Sequence, residues 1–285
     1  MTNTLGLALG GGGARGLAHL GVLIGLEQAD VPIGCIVGTS MGAAMGAVKA
    51  VGADLERVAQ ILLSLDLNDL LQVSDSAARE LQKLIGRSMM EYVRGSDWRD
   101  EEAQPHDLAR LCELFHLLTA GKRFSDTDLP FAAVAADLET GDPVILREGP
   151  LSDAIVASTS VPGIFSPVSI DGRFLIDGGV VDKLPVDVAI DMGAQAVLAV
   201  DTGVPMTRTI TTCLDAVMQG QRVTSRRLTD LQLLQAAERL DGRLTVIQPD
   251  VGAIRMFSFD RAEEAIQAGR EAVRAHLDDI QRLVA

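Results

Sequence analysis

Apolar residues along the chain fall into short unbroken runs that alternate with longer stretches of helical period. TLGLAL (4–9) is a run of strand length, followed by GGGGARG (10–16) and a pattern that predicts a helix over roughly 15–29. Pro32 stops that helix, IGCIV (33–37) opens a second strand, and a small-residue helix is predicted from Gly42 to about Val51. Strand, helix, strand, helix with short connections implies an α/β fold with a mainly parallel sheet and right-handed crossovers.

Residues 53–125 change character, with helical periodicity, few strand signals and the polar break GSDWRDEEAQPHD (95–107). They are expected to form an inserted helical region, a lid or cap. From Pro130 the strand pattern returns. PFAAVAADL and PVILREG flank a turn at ETGD, and VSI-DG-RFLI carries Asp171-Gly172, which favours a type I′ hairpin. AQAVLAV (194–200) and LTVIQ (244–248) are expected as core strands, with long helices between them and after Asp260. Thr212-x-x-Asp215 and Asp260-x-x-Glu263 have the spacing of capping boxes. No linker or repeat stands out, so residues 1–285 are read as one domain.

Composition narrows the function. The 285 residues carry a formal charge of −14, which argues against nucleic acid and against electrostatic docking on an anionic bilayer. Cys35, Cys112 and Cys213 are far apart and show neither metal spacing nor a disulfide framework, which fits a reduced, cytoplasmic setting. The N-terminal residues lack the basic region of a signal peptide. Residues 31–48 are uncharged, but a proline and four glycines break them, so strand, turn and helix explain them better than a membrane span.

The glycine loop fits G-x-G-x-x-G at Gly11, Gly13 and Gly16, yet neither nucleotide reading holds. A dinucleotide site needs an acidic residue ending the second strand, and that strand ends in Val37-Gly38-Thr39-Ser40, while Asp30 precedes it. A P-loop needs Lys-Ser or Lys-Thr after Gly16, where Leu17-Ala18 stand. What ends the second strand is G-x-S-x-G, with Ser40 between Gly38 and Gly42, a pattern that projects a serine from a sharp strand-to-helix turn. A serine nucleophile requires a base. His19, His106 and His116 sit in helical patterns or in the polar break, and His276 in a charged terminal helix. Asp177, after a strand and before Gly178-Gly179, is either such a base or a turn aspartate capping its own backbone.

GGGARG (11–16), GTSMG (38–42) and DGG (177–179), in this order, resemble the patatin-like phospholipase family, and ASTSVPGIFSPV (157–168) and AADLETGDPVILREG (135–149) are similar to its bacterial members. The resemblance spans roughly residues 5–190; residues 191–285 carry no assignable motif. It implies a three-layer α/β/α fold and a Ser40–Asp177 dyad without histidine. It also implies an oxyanion hole from the backbone of Gly12 and Gly13, with Arg15 ordering the loop and contributing its own amide. The implied activity is hydrolysis of phospholipid, lysophospholipid or simpler acyl esters, with no cofactor or metal and only transient apolar contact with membranes. Asp182-Lys183 depart from the family, where Asn-Asn is usual, and Met89, Met90 and Tyr92 could line an acyl groove. A non-catalytic regulatory or scaffold protein on this fold is the rival reading, opposed by the intact Ser40, Asp177 and glycine loop.

Overall fold

A computed structural model describes residues 4–67, 107–162, 164–203 and 213–285, with Met206 and Ile210. The strands are β1 (Leu5–Leu9), β2 (Cys35–Thr39), β3 (Phe131–Asp137), β4 (Pro143–Leu146), β5 (Val168–Ile170), β6 (Arg173–Asp177), β7 (Ala196–Val200) and β8 (Leu244–Ile247). They form one sheet whose hydrogen-bonded neighbours follow the path β5-β6-β3-β2-β1-β7-β8, β2 and β6 meeting successive parts of one edge of β3 and β4 taking its other edge. The run from β3 to β8 is parallel, and the hairpin strands β4, β5 and β6 are antiparallel. The type I′ expectation holds at Asp171-Gly172, both at positive φ (50° and 75°).

The helices are α1 (Ala18–Gln28), α2 (Met41–Ala50), α3 (Leu55–Ser64), α4 (Asp107–Leu118), α5 (Leu151–Thr159), α6 (Val186–Asp191), α7 (Cys213–Arg239), α8 (Ala262–Ala275) and α9 (Leu277–Val284). Strand alternation sends Leu5, Leu7 and Leu9 to one face, where α1, α2, α3, α5, α8 and α9 bury them. Ala8, Val37, Val134 and Ala199 face the other way, onto α6 and α7. The result is a three-layer α/β/α sandwich. The uncharged stretch 31–48 is divided between β2 and α2, and among the described residues no helix is long and apolar enough to cross a membrane.

Some boundaries differ from the sequence reading. The helix expected from 15 begins as a 3-10 turn, Gly13–Leu17, before α1. Asp260-x-x-Glu263 makes no capping box. Phe259–Arg261 form a 3-10 turn with Phe259 buried, so α8 starts at Ala262 and its N-cap is Arg261, with no side-chain cap bond. Thr212, His106, Met89, Met90, Tyr92 and the stretch 95–106 lie outside the described residues, whereas α3 and α4 bear out the helical character of the flanks of 53–125.

Candidate active site

The site lies where two strands share one edge of β3. Parallel β2 follows that edge as far as the pair Thr39–Val134, and antiparallel β6 takes it up at Ala135–Asp177. β4 occupies the opposite edge. Ser40, the residue after β2, is thereby set beside Asp177, the last residue of β6. A switch of strand direction along one edge brings together two residues 137 positions apart.

Ser40 sits at φ 56° and ψ −127°, a conformation costing about 1–3 kcal/mol for a residue with a Cβ. Burying one leucine contributes a comparable ~1.5–3 kcal/mol, and fully buried Ile36 and Val37 hold the strand that ends there. Locally, the Ser40 N–H donates to Ser158 Oγ at 2.8 Å, and Ser158 Oγ donates to the Val134 carbonyl at 2.6 Å. The Ser40 carbonyl accepts from Ala43 and Ala44 at the start of α2. Gly38 and Gly42 are required by close approach: a Cβ on Gly38 would meet the Gly42–Ala43 backbone, and one on Gly42 the Leu9 carbonyl.

Asp177 accepts from the Gly179 N–H at 2.7 Å, and its own N–H donates to the Ser160 carbonyl at 2.9 Å. It is a turn cap that the sheet register sets beside Ser40. Burial raises its pKa to about 6, against the opposing hydrogen bonds from the Ser40 hydroxyl and the Gly179 N–H. Gly178 packs its α-carbon against the Val134 carbonyl.

The glycine loop continues from β1, the neighbour of β2, and passes beside Ser40: a Cβ on Gly11 would stand 3.4 Å from the Ser40 Cβ. Its ends are tied by Gly10 N–H to Val200 O (3.0 Å), Gly11 N–H to Lys183 O (3.0 Å) and Ala14 N–H to Met256 O (2.8 Å). Between these ties, the N–H groups of Gly12 and Gly13 have no partner among the described residues. Gly13 is at φ 58°, and a Cβ there would stand 2.5 Å from the Met256 carbonyl oxygen. Gly16 leaves room for the Met41 side chain. Arg15 is buried and donates to the Ile254 carbonyl at 3.3 Å.

Ser40 opens onto two cavities. One, of about 320 Å³, is lined by Gly11, Gly12, Arg15, Ser40, Asp177 and Gly179 together with one side of α7. The other, of about 70 Å³, is almost wholly apolar and reaches Met45, Leu62, Leu114, Phe115 and Phe165. Among the described residues no histidine lines either cavity. His276 caps α8, half-buried, with Nδ1 2.9 Å from the Ala272 carbonyl oxygen. His19 is fully buried with Nε2 2.7 Å from the Gly10 carbonyl oxygen, and burial lowers its pKa to about 4, so it holds the loop as a neutral ring.

The sequence reading missed two contributors. Ser158 ties Ser40 to β3, and its one signal was a serine inside the apolar helix α5. The α7 wall had no motif to announce it.

A family model described as patatin-like phospholipase matches residues 7–190, and the chain belongs to that family. An uncharacterized NTE family protein of Mycobacterium tuberculosis is 33% identical over 306 residues, covering 96% of this chain and 46% of its own length. Patatin-like phospholipase domain-containing protein 6 of Mus musculus is 33% identical over 203 residues, covering 70% of this chain and 14% of the relative. The chain thus spans about half, or less, of the length of these curated relatives. In fold it is similar to VipD from Legionella pneumophila, with a TM-score of 0.52 at 15% identity, over 98% of this chain and 67% of that one.

Proposed function

We propose that the protein is a serine acyl-ester hydrolase acting on phospholipid or lysophospholipid through an acyl-enzyme. The observation that carries this reading is Ser40 on a strained turn, set by the sheet register beside the buried carboxyl of Asp177, whose pKa burial raises to about 6. A carboxylate of that pKa is ionised at neutral pH and basic enough to take a proton from a serine hydroxyl as Oγ attacks. Gly12 and Gly13 supply N–H groups to the tetrahedral oxyanion, a donor of this kind being worth about 3–4 kcal/mol in the transition state. Asp177 then protonates the leaving alcohol and, as base again, activates the water that releases the acid. Arg15 orders the loop through Ile254. Gly11, Gly16, Gly38, Gly42, Gly178 and Gly179 give the backbone the room this arrangement needs. The apolar cavity at Ser40 suits an acyl chain, and the family and the lipid-acting names of its relatives support a lipid substrate.

The test is turnover of a p-nitrophenyl butyrate and lysophospholipid pair by wild type, Ser40→Ala and Asp177→Asn. Both variants should lose at least about 10³-fold in kcat on either substrate. Full activity in Asp177→Asn would remove the dyad. A wild type that turns over neither ester, and whose Ser40 takes no fluorophosphonate label, would favour the regulatory reading.

A further inference from the structure

The larger cavity holds a charge arrangement that acyl transfer does not use. In a chain of net charge −14, four cationic side chains among the described residues line it: Arg15, Lys183, Arg222 and Arg226. Lys183 stands where the family resemblance led to an asparagine, and the two α7 arginines, one helical turn apart, lie beyond the family-matched residues.

Asp177, Asp201 and Asp230 line the same cavity, and Asp201 is already the partner of one of these cations, Lys183. Asp201 accepts from Lys183 Nζ at 3.4 Å, from the Gly203 N–H at 2.8 Å and from Gln248 Nε2 at 3.1 Å. Asp177 is turned to Ser40 and Gly179, and Asp230 lies one turn beyond Arg226 on α7. Among the described residues no carboxylate pairs with Arg222 or Arg226. Arg15 is only 9% exposed, and its Nε has no hydrogen-bond partner among the described residues. Arg15 and Arg222 are close enough to repel, Arg222 adding to burial in lowering the pKa of Arg15 to about 10. Asp201 partly offsets that repulsion at Arg15, but it is also bound to Lys183, Gly203 and Gln248, so an oxyanion beside the two guanidinium groups would relieve the rest, and the guanidinium fork matches phosphate oxygens. A volume of about 320 Å³ is enough for a small polar headgroup.

We propose that this cavity seats the phosphate of a net-anionic acyl-glycerophosphate, with Arg222 as the residue that selects it. Arg15, Lys183 and Arg222 surround the phosphate, the ester carbonyl lies at Ser40, and the acyl chain enters the apolar cavity. A choline headgroup would bring a quaternary ammonium into the same cationic wall and is disfavoured. The proposal rests on the hydrolase reading for its substrate, but its binding site is testable without turnover.

Binding is measured by titrating glycerol 3-phosphate and inorganic phosphate into the Ser40→Ala protein and into Ser40→Ala/Arg222→Gln, with thermal melts as the folding control. Turnover of lysophosphatidic acid is compared with that of lysophosphatidylcholine of the same acyl chain, for wild type, Arg222→Gln and Arg222→Lys. Expected are glycerol 3-phosphate binding weakened at least about tenfold by Arg222→Gln, and a wild-type preference of at least about tenfold for the anionic substrate. That preference should collapse in Arg222→Gln and be largely kept in Arg222→Lys. Inorganic phosphate should compete with lysophosphatidic acid. If it instead alters hydrolysis of p-nitrophenyl butyrate without competing with the lipid, the site reads free phosphate and the headgroup assignment is overturned. If wild type hydrolyses both lipids equally and Ser40→Ala binds no phosphate ligand, the inference fails while the hydrolase reading stands. Binding without hydrolysis of any ester would keep the anion site and sink the hydrolase reading.

Discussion

The two cavities that meet at Ser40 are built from different material. The smaller is walled by Met45, Leu62, Leu114 and Phe115, which belong to the main hydrophobic core, so its shape is inseparable from the packing that holds α2, α3 and α4 together. The larger is walled on one side by polar and charged side chains of α7, a helix whose core contacts come from elsewhere on its surface, such as Ala236. A change in the first wall therefore acts on stability and on any acyl chain together. A change in the second acts on charge and leaves the fold nearly untouched.

The widest separation is expected between Leu114→Ala and Arg226→Gln. Leu114 is 8% exposed, and its truncation should cost about 2–5 kcal/mol in denaturant unfolding. Arg226→Gln should stay within about 0.5 kcal/mol. Equal losses would mean that α7 is as integral to the core as α4. Ser158→Ala comes next, because it strips a partner from both the Ser40 N–H and the Val134 carbonyl. It should cost about 1–3 kcal/mol of stability, and on the hydrolase reading it should lower kcat about 10–100-fold with KM little changed. A fall confined to KM would assign Ser158 to substrate contact instead of to the turn.

The pH dependence separates the dyad from the rest of the polar wall. On the hydrolase reading the base is the Asp177 carboxylate, whose pKa burial raises to about 6, so kcat/KM should rise about tenfold per pH unit up to about pH 6 and then level. A rise centred near pH 4 would mean an exposed carboxylate is the base. The smallest effect is expected at Asp182, 7% exposed, with Oδ1 unpartnered among the described residues. Burial, with Asp187 nearby, raises its pKa to about 7. A carboxyl with a raised folded pKa stabilises the fold in its protonated form, and that contribution is lost as pH climbs from about 4 through 7. Asp182→Asn should therefore do little at pH 4 and stabilise by on the order of 1 kcal/mol at pH 8. A melting temperature that gains equally at both pH values would rule out this charge as the cause.

The elbow, the glycine loop and the hairpin at Asp171-Gly172 were legible in the sequence because each is written in a few adjacent residues whose backbone demands are local. The proposed pairing of Ser40 with Asp177 was only half legible. Locally Asp177 reads as a turn cap, which it is, and what sets it beside Ser40 is the register of β2 and β6 on β3, a property of the sheet. The capping box at Asp260 failed for a related reason: burying Phe259 tightens the chain before the helix begins, and tertiary packing outweighs a four-residue pattern. The burial of Asp182 and the cationic face of α7 depend on how a late helix docks on an early loop, which no local pattern encodes.

That docking also has a consequence in time. The segment matched by the family model ends at 190, yet the glycine loop near the N-terminus is anchored to the Ile254 and Met256 carbonyls. During synthesis the serine, the aspartate and the loop are all made long before those anchors exist. On the hydrolase reading, the site is therefore expected to stay idle on the growing chain and to become competent only when the segment around Ile254–Met256 has folded back onto the loop.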